Sequence, residues 1–275
     1  MCSMQHEAVW RLTSQLLVDL VPADRHVVYV PEDEVEQFDA ITPGYVDVRS
    51  EANLDIGFRK LLEKQLSGNK NHYRLGWYLQ QLFKIQAMLS SGADLFVIWD
   101  ADCVPARQFE FFEPDGKPRY LKGSEFHQPY FEMIERLLGL KRKQDFSFIT
   151  PGFPMPGRWL HELIADIEEA NPGQLWFEAV IAATDFAEKS GFSEFEILGT
   201  WVANSDHEWS SFETNWERLG RSRLGPPESF SPSALVAAAT REGLEVVSFE
   251  NWDQPRRGAP KQPKKSFLPF ARRLS

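Results

Sequence analysis

Leu95-Phe96-Val97-Ile98-Trp99-Asp100-Ala101-Asp102 is the stretch whose reading decides the fold. Five apolar residues run straight into two carboxylates two positions apart. A strand covered on both faces loses the alternation of polar and apolar side chains, so this run describes a buried parallel strand. If the chain stays extended past Trp99, Asp100 and Asp102 point to the same side. Acids at the carboxyl end of such a strand stand where open α/β sheets bind ligands. A carboxylate pair there suits a hard divalent cation holding a phosphate-bearing substrate. The competing reading makes both acids the polar start of a loop, in a chain with 40 acidic residues.

Upstream of this stretch, residues 77–90 form a helix opened by Gly76. Gln80, Gln81 and Lys84 fall three and four positions apart and share a face, with Tyr78, Leu82, Ile85 and Leu89 on the other. A helix that precedes a strand in a β-α-β unit packs beside it, which brings Lys84 toward a phosphate near Asp100; the alternative is a solvated polar face. Further upstream, residues 7–20 read as an amphipathic helix, His26 to Val30 as a short strand, 32–39 as a helix, Tyr45 to Val48 as a strand and 54–66 as a helix. This alternation makes the chain α/β, with parallel strands and helices on the faces.

Downstream, Pro129 opens a helix to about Leu138, and Asp145 to Thr150 reads as a strand. Pro151-Gly152-Phe153-Pro154-Met155-Pro156-Gly157 reads as a Pro/Gly loop. Helices follow over 158–170, 174–189 and 193–202, then a loop-rich stretch over 204–230, a helix from Ser231 to Arg241 and a late strand from Leu244 to Phe249. The order describes one domain over residues 1–253. Residues 254–275 lack periodicity and read as a basic, Pro-rich, disordered tail.

Composition narrows the function. The chain has 275 residues, 43% of them hydrophobic, which supports an ordinary core. Its net charge is −10. Seven basic residues and no acids fall between Pro255 and Ser275, leaving 23 basic against 40 acidic elsewhere, about −17. An acidic body argues against nucleic acid as a partner and requires a metal or local cations to hold an anionic substrate. The basic tail suits weak contact with an anionic membrane surface or plain solubilisation. Cys2 and Cys103 form no disulfide framework or zinc spacing, and the start lacks the order of a signal peptide, so a cytoplasmic location is expected.

Three further groups carry chemistry. In Ser193-Glu194-Phe195-Glu196, Ser193 and Glu196 match a capping box, which leaves Glu194 unexplained. Glu194 suits proton acceptance from an acceptor hydroxyl, or equally the helix dipole. His207, in a polar loop, is a candidate third metal ligand or an exposed side chain. His127, before a helix, reads as structural or as a substrate contact, His161 as a core-edge residue and His72 as a loop residue. Six tryptophans crowd the second half (Trp159, Trp176, Trp201, Trp209, Trp216 and Trp252), suited to sugar stacking or to core packing.

Taken in order, Gly76-Trp77, Gln80-Gln81-Leu82-Phe83-Lys84-Ile85, Val97-Ile98-Trp99-Asp100-Ala101-Asp102 and Phe192-Ser193-Glu194-Phe195-Glu196-Ile197-Leu198-Gly199 resemble the bacterial DUF6492 group. Phe148-Ile149-Thr150, Leu160-His161-Glu162-Leu163 and Trp176 fit too, and the resemblance spans roughly residues 10–210. It implies a single GT-A-like, Rossmann-like glycosyltransferase domain with a mostly parallel central sheet flanked by helices. The implied donor is a nucleoside-diphosphate sugar, and the acceptor a carbohydrate or lipid-linked hydroxyl. On this resemblance Asp100 and Asp102 hold Mn2+ or Mg2+ on the diphosphate. Gln80, Gln81 and Lys84 lie at the donor, with Asp100 serving it too. Glu194 and Glu196 are the acceptor-side carboxylates, and His207 is the late metal-binding histidine. GT-A domains normally open with a strand whose end cradles the nucleotide base, whereas this sequence enters its first helix at once; either that strand is missing or the sheet starts one strand late, and a missing strand would expose apolar surface. The rival from another class is a non-catalytic carbohydrate-binding or scaffold protein on a decayed GT-A fold. A metal-dependent phosphohydrolase is a third reading, for which too few clustered histidines and carboxylates are in view.

Overall fold

A computed structural model describes residues 1–253. The expected tail, 254–275, lies outside the described residues. Helix α1 (Glu7–Leu20) leads to strand β1 (His26–Val30), α2 (Val35–Ile41) and β2 (Val46–Ser50). Then come α3 (Phe58–Leu66), α4 (Leu75–Ser91) and β3 (Leu95–Trp99). α4 ends at Gly92, whose φ of 66° is the left-handed conformation that closes a helix and that glycine adopts without strain. The middle of the chain supplies β4 (Cys103–Pro105), β5 (Arg119–Leu121), α5 (Gln128–Leu138), β6 (Gly152–Pro156), α6 (Gly157–Ala170), α7 (Trp176–Ala183) and α8 (Glu194–Asn204). β7 (Ser210–Phe212), β8 (Trp216–Glu217), the short α9 (Gly220–Arg223), α10 (Pro232–Arg241) and β9 (Val246–Ser248) complete it.

The architecture is α/β, built among the described residues from helices and small mixed sheets. β1 and β2 pair in parallel, with His26 opposite Val46 and Val30 opposite Ser50. This is the expected β-α-β logic, with α2 as the crossover. The decisive strand behaves differently. β3 pairs antiparallel with β6, Leu95 opposite Pro156 and Trp99 opposite Gly152. It is also half-buried instead of buried, with Leu95 46% exposed. Its ladder with β6 is its only one among the described residues. The expectation of a buried parallel strand is corrected on both counts.

β6 itself corrects the reading of 151–157 as a loop. Prolines lack the N–H that a ladder needs. Here Asp100 N–H donates to the Pro151 carbonyl at 2.9 Å and Gly157 N–H to the Asp94 carbonyl at 2.7 Å. Antiparallel pairs alternate between hydrogen-bonded and non-hydrogen-bonded positions. Residues 151, 153, 155 and 157 therefore take the bonded positions, and Pro154 and Pro156 fall where no N–H is required. The segment 145–150 is not a strand: one isolated bridge, Gly123 to Ser147, is all the ladder it makes. α7 stops at Ala183, well short of 189.

The main core gathers α3 to α8 around Tyr78, Leu82, Phe83, Phe148, Phe153, Phe195 and Ile197. Fully burying a Leu or Phe side chain contributes about 1.5–3 kcal/mol, so this cluster dominates the fold's apolar stabilisation. α8 presses close to Phe148 because Gly199 has no side chain: a Cβ there would overlap the Phe148 ring. Phe148 and Phe153 in turn hold β6 and hence β3, so the core positions the end of β3. A second cluster packs α1 and α10 over β4 and β9. No helix among the described residues is long and apolar enough to cross a membrane.

Candidate functional site

The extended chain ends at Trp99. Asp100, Ala101 and Asp102 form a turn closed by Cys103 N–H donating to the Asp100 carbonyl at 3.0 Å. The expected same-side projection along a strand is replaced by this turn, which sends the two carboxylates to different partners.

Asp100 meets Lys84. The Lys84 ammonium donates to Asp100 Oδ1 at 2.7 Å and to Glu194 Oε1 at 2.6 Å. It also sits 4.4 Å from the centre of the Phe195 ring, a favourable place for a cation. The side chains of Lys84 and Glu194 are 10% and 4% exposed, and that of Asp100 is 30% exposed. Burial works against the charged ammonium, yet the two carboxylates outweigh it and hold its pKa above the ordinary lysine value. Gln81 reinforces the arrangement by accepting a hydrogen bond from the Glu194 backbone N–H at 3.2 Å. The expected face of α4 is therefore real at Gln81 and Lys84. Gln80, half-buried one turn before Lys84, makes no side-chain hydrogen bond among the described residues.

Asp102 borders a second acidic group. Phe249 N–H donates to the Asp102 carbonyl at 2.9 Å, which sets Glu250 against the turn. Burial, and then the charge of Asp100, pushes the Asp102 carboxyl above its ordinary pKa. Burial, and then Asp102, raises that of Glu250 to about 7. His6 lies within electrostatic reach of Asp102, and burial lowers its pKa. Glu250 escaped the sequence reading, although the signal was present: an apolar strand running into an acid, as at Asp100.

A cavity of about 320 Å³ opens at the carboxyl ends of the parallel pair β1 and β2. Glu32 and Asp33 follow β1, Glu51 follows β2, and Asp55 and Arg59 complete the polar wall. Phe83, next to Lys84 on α4, closes one side. The Met1 amino group is within electrostatic reach of Lys84, Asp100 and Glu51, the last of which lines the cavity.

Glu196 stands apart from this cluster. Two positions along α8 from Glu194, it points to the other side of the helix, where Ser147 Oγ donates to it at 2.5 Å. Only half of the expected capping box forms. Ser193 accepts from the Glu196 backbone N–H, but the Glu196 carboxylate is taken by Ser147. Burial raises the Glu196 carboxyl to about 7, against the opposing pull of the Ser147 hydroxyl and Arg142. His207 also lies elsewhere. Its ring stacks on Trp159 at 4.2 Å, and Nε2 contacts Glu162 at 2.7 Å. None of these partners belongs to the Lys84 cluster. His127 contacts the Ser190 carbonyl through Nε2, as a structural histidine does, whereas His161 is exposed and not core-edge. Trp159, Trp176 and Trp201 are buried in the core, and Trp252 is exposed.

No group of three or more His, Cys, Asp or Glu side chains that could hold a metal ion occurs among the described residues. Two carboxylates, Asp100 and Asp102, remain as oxygen donors at the turn. Magnesium is commonly bound by one or two carboxylates plus the phosphates of its substrate, so this smaller set fits a cation that arrives with a diphosphate.

Residues 18–224 match the family of unknown function DUF6492, and the chain belongs to that family. Comparison with curated proteins returned no match.

Proposed function

We propose that the chain is a metal-dependent glycosyltransferase, moving a sugar from a nucleoside-diphosphate sugar to a carbohydrate or lipid-linked hydroxyl. The observation that carries this reading is the Lys84–Asp100–Glu194 cluster beside the acidic turn, with Phe83, the neighbour of Lys84 on α4, lining the β1/β2 crevice. Carboxylates at the crevice accept hydrogen bonds from ribose hydroxyls, as acids at the ends of parallel strands do in nucleotide folds. The diphosphate then lies over Lys84, beside the Asp100–Asp102 turn.

A divalent cation held by Asp100 and Asp102 would offset the charge that grows on the leaving diphosphate. Lys84 does the same from the floor and costs no reorganisation, because Asp100 and Glu194 already hold it in place. In this assignment Glu194 is a positioning residue for Lys84. Glu196, facing Ser147, has no part at the reacting atoms, and His207 is not a metal ligand. The runner-up, a non-catalytic carbohydrate-binding or scaffold protein, draws on the half-exposed β3.

Titration of UDP, GDP and CDP with Mn2+, and then with EDTA, tests the reading. Binding of one nucleotide that needs the metal and is lost in Asp102→Asn supports it. A folded protein that binds none of the three fits the non-catalytic alternative.

A further inference from the structure

A second cavity, of about 400 Å³, opens away from the β1/β2 pair and shares no lining residue with the first. Its wall includes Lys122, Ser124, Asp145, Glu213, Trp216 and Arg218. Two contacts tie it to the site. Trp216 Nε1 donates to Ser248 Oγ at 2.6 Å, and Ser248 Oγ lies 2.9 Å from the thiol of Cys103, the residue after Asp102. Arg218 is also within electrostatic reach of Glu250, which borders Asp102.

We infer that this cavity is the acceptor subsite and that its occupant is a neutral sugar ring; the inference rests on the glycosyltransferase reading above. The lining sets two cations, Lys122 and Arg218, against two carboxylates, Asp145 and Glu213. Such a wall has no net charge with which to concentrate an ion. It does offer donors and acceptors on opposite sides, which is the demand of a ring bearing several hydroxyls. The cations are held in place. Lys122 pairs with Glu213 at 3.2 Å and Arg218 with Glu125 at 3.2 Å, and the Arg218 guanidinium lies 5.2 Å from the centre of the Trp216 ring. Arg218 Nε is buried without a hydrogen-bond partner. The Arg218 side chain is 41% exposed, so the outer N–H groups of its guanidinium are the donors that a sugar hydroxyl in this cavity would meet.

Arg218→Lys keeps the charge and removes the planar fork of guanidinium donors, and Ser124→Tyr narrows the cavity from its exposed rim. Both variants and the parent are titrated with neutral gluco-, manno- and galacto-oligosaccharides and with the matching uronates. Nucleotide binding with Mn2+ is measured separately on the same samples. The expected result is binding of a neutral oligosaccharide that weakens about tenfold or more in both variants, the size of one lost hydrogen bond in a desolvated site. Nucleotide affinity stays within about twofold, since neither change touches the β1/β2 crevice. Neutral-sugar binding unchanged in both variants, binding of uronates alone, or no oligosaccharide binding by the parent would overturn the assignment. Loss of nucleotide binding in the parent would instead strike the glycosyltransferase reading, which keeps the two failures apart.

Discussion

Two carboxylates two residues apart on one helix meet opposite fates in this molecule. Glu194 accepts a hydrogen bond from the buried Lys84 ammonium; Glu196 accepts one from Ser147, with Arg142 only within electrostatic reach. Both are almost fully buried, at 3% and 2% exposed. Equal burial therefore comes with different partners. The difference is whether the neighbouring element brings a cation into direct hydrogen-bond contact or a hydroxyl. α4 brings Lys84 to the first, and the loop through Ser147 and Phe148 brings neutral donors to the second.

The sharpest way to break this comparison is to remove the cation. Lys84→Ala leaves Asp100 and Glu194 facing each other without it. Stability should fall by about 3–5 kcal/mol, the cost of stripping one partner from a buried ion cluster. Denaturant unfolding measures it, and a loss below about 1 kcal/mol would mean the cluster is hydrated and weak. Turnover should fall on the order of a hundredfold or more, as for loss of a preorganised donor to a developing anion.

Glu196→Gln should act with the opposite sign. The folded pKa of about 7 lies above the ordinary value of 4.5. The folded state thus holds its proton more tightly, so this group's contribution is fully present below pH 4.5 and is lost as pH rises through 7. That difference corresponds to roughly 3 kcal/mol at pH 8 or above. The glutamine variant should be more stable than the parent at pH 8 and show a flatter melting temperature between pH 5 and 8. An unchanged pH profile would show that Glu196 titrates normally.

Glu194→Gln is the smaller counterpart. Lys84 keeps Asp100, so the loss should be about 2 kcal/mol, the scale of one hydrogen bond to a charged group. Turnover should fall less than in Lys84→Ala. If Glu194→Gln cost more activity than Lys84→Ala, Glu194 would be acting on substrate directly rather than through the lysine.

Much of the site was legible in the chain. Gln81 and Lys84 share a helix face by spacing, and the apolar run to Trp99 ends in an acid whatever its partners. Ser193 announces the start of α8, and Glu194 follows from it. Each of these depends on residues within about one turn of each other. The failures share a different cause. The run 151–157 carries every local mark of a loop, yet its prolines fall on the non-bonded positions of a ladder to residues 95–99. Asp145 to Thr150 carries the composition of a strand and finds almost no partner. The Glu196 carboxylate satisfies a local capping rule on paper, but Ser147 lies closer to it in space. His207 suits a metal by chemistry and is held by Glu162 and Trp159.

The amino-acid sequence by itself determined the α/β class, most of the helices, and the placing of Lys84 on one face of α4, Asp100 just after β3 and Glu194 at the start of α8. These follow from backbone propensity and apolar period, which act over a few residues. Only the tertiary structure decided that β3 runs antiparallel to β6, that Lys84 bridges two carboxylates 16 and 110 residues away, and that Glu194 and Glu196 part company. Ladder register and ion pairing depend on which distant groups the core brings within hydrogen-bond reach, and no local pattern encodes that distance.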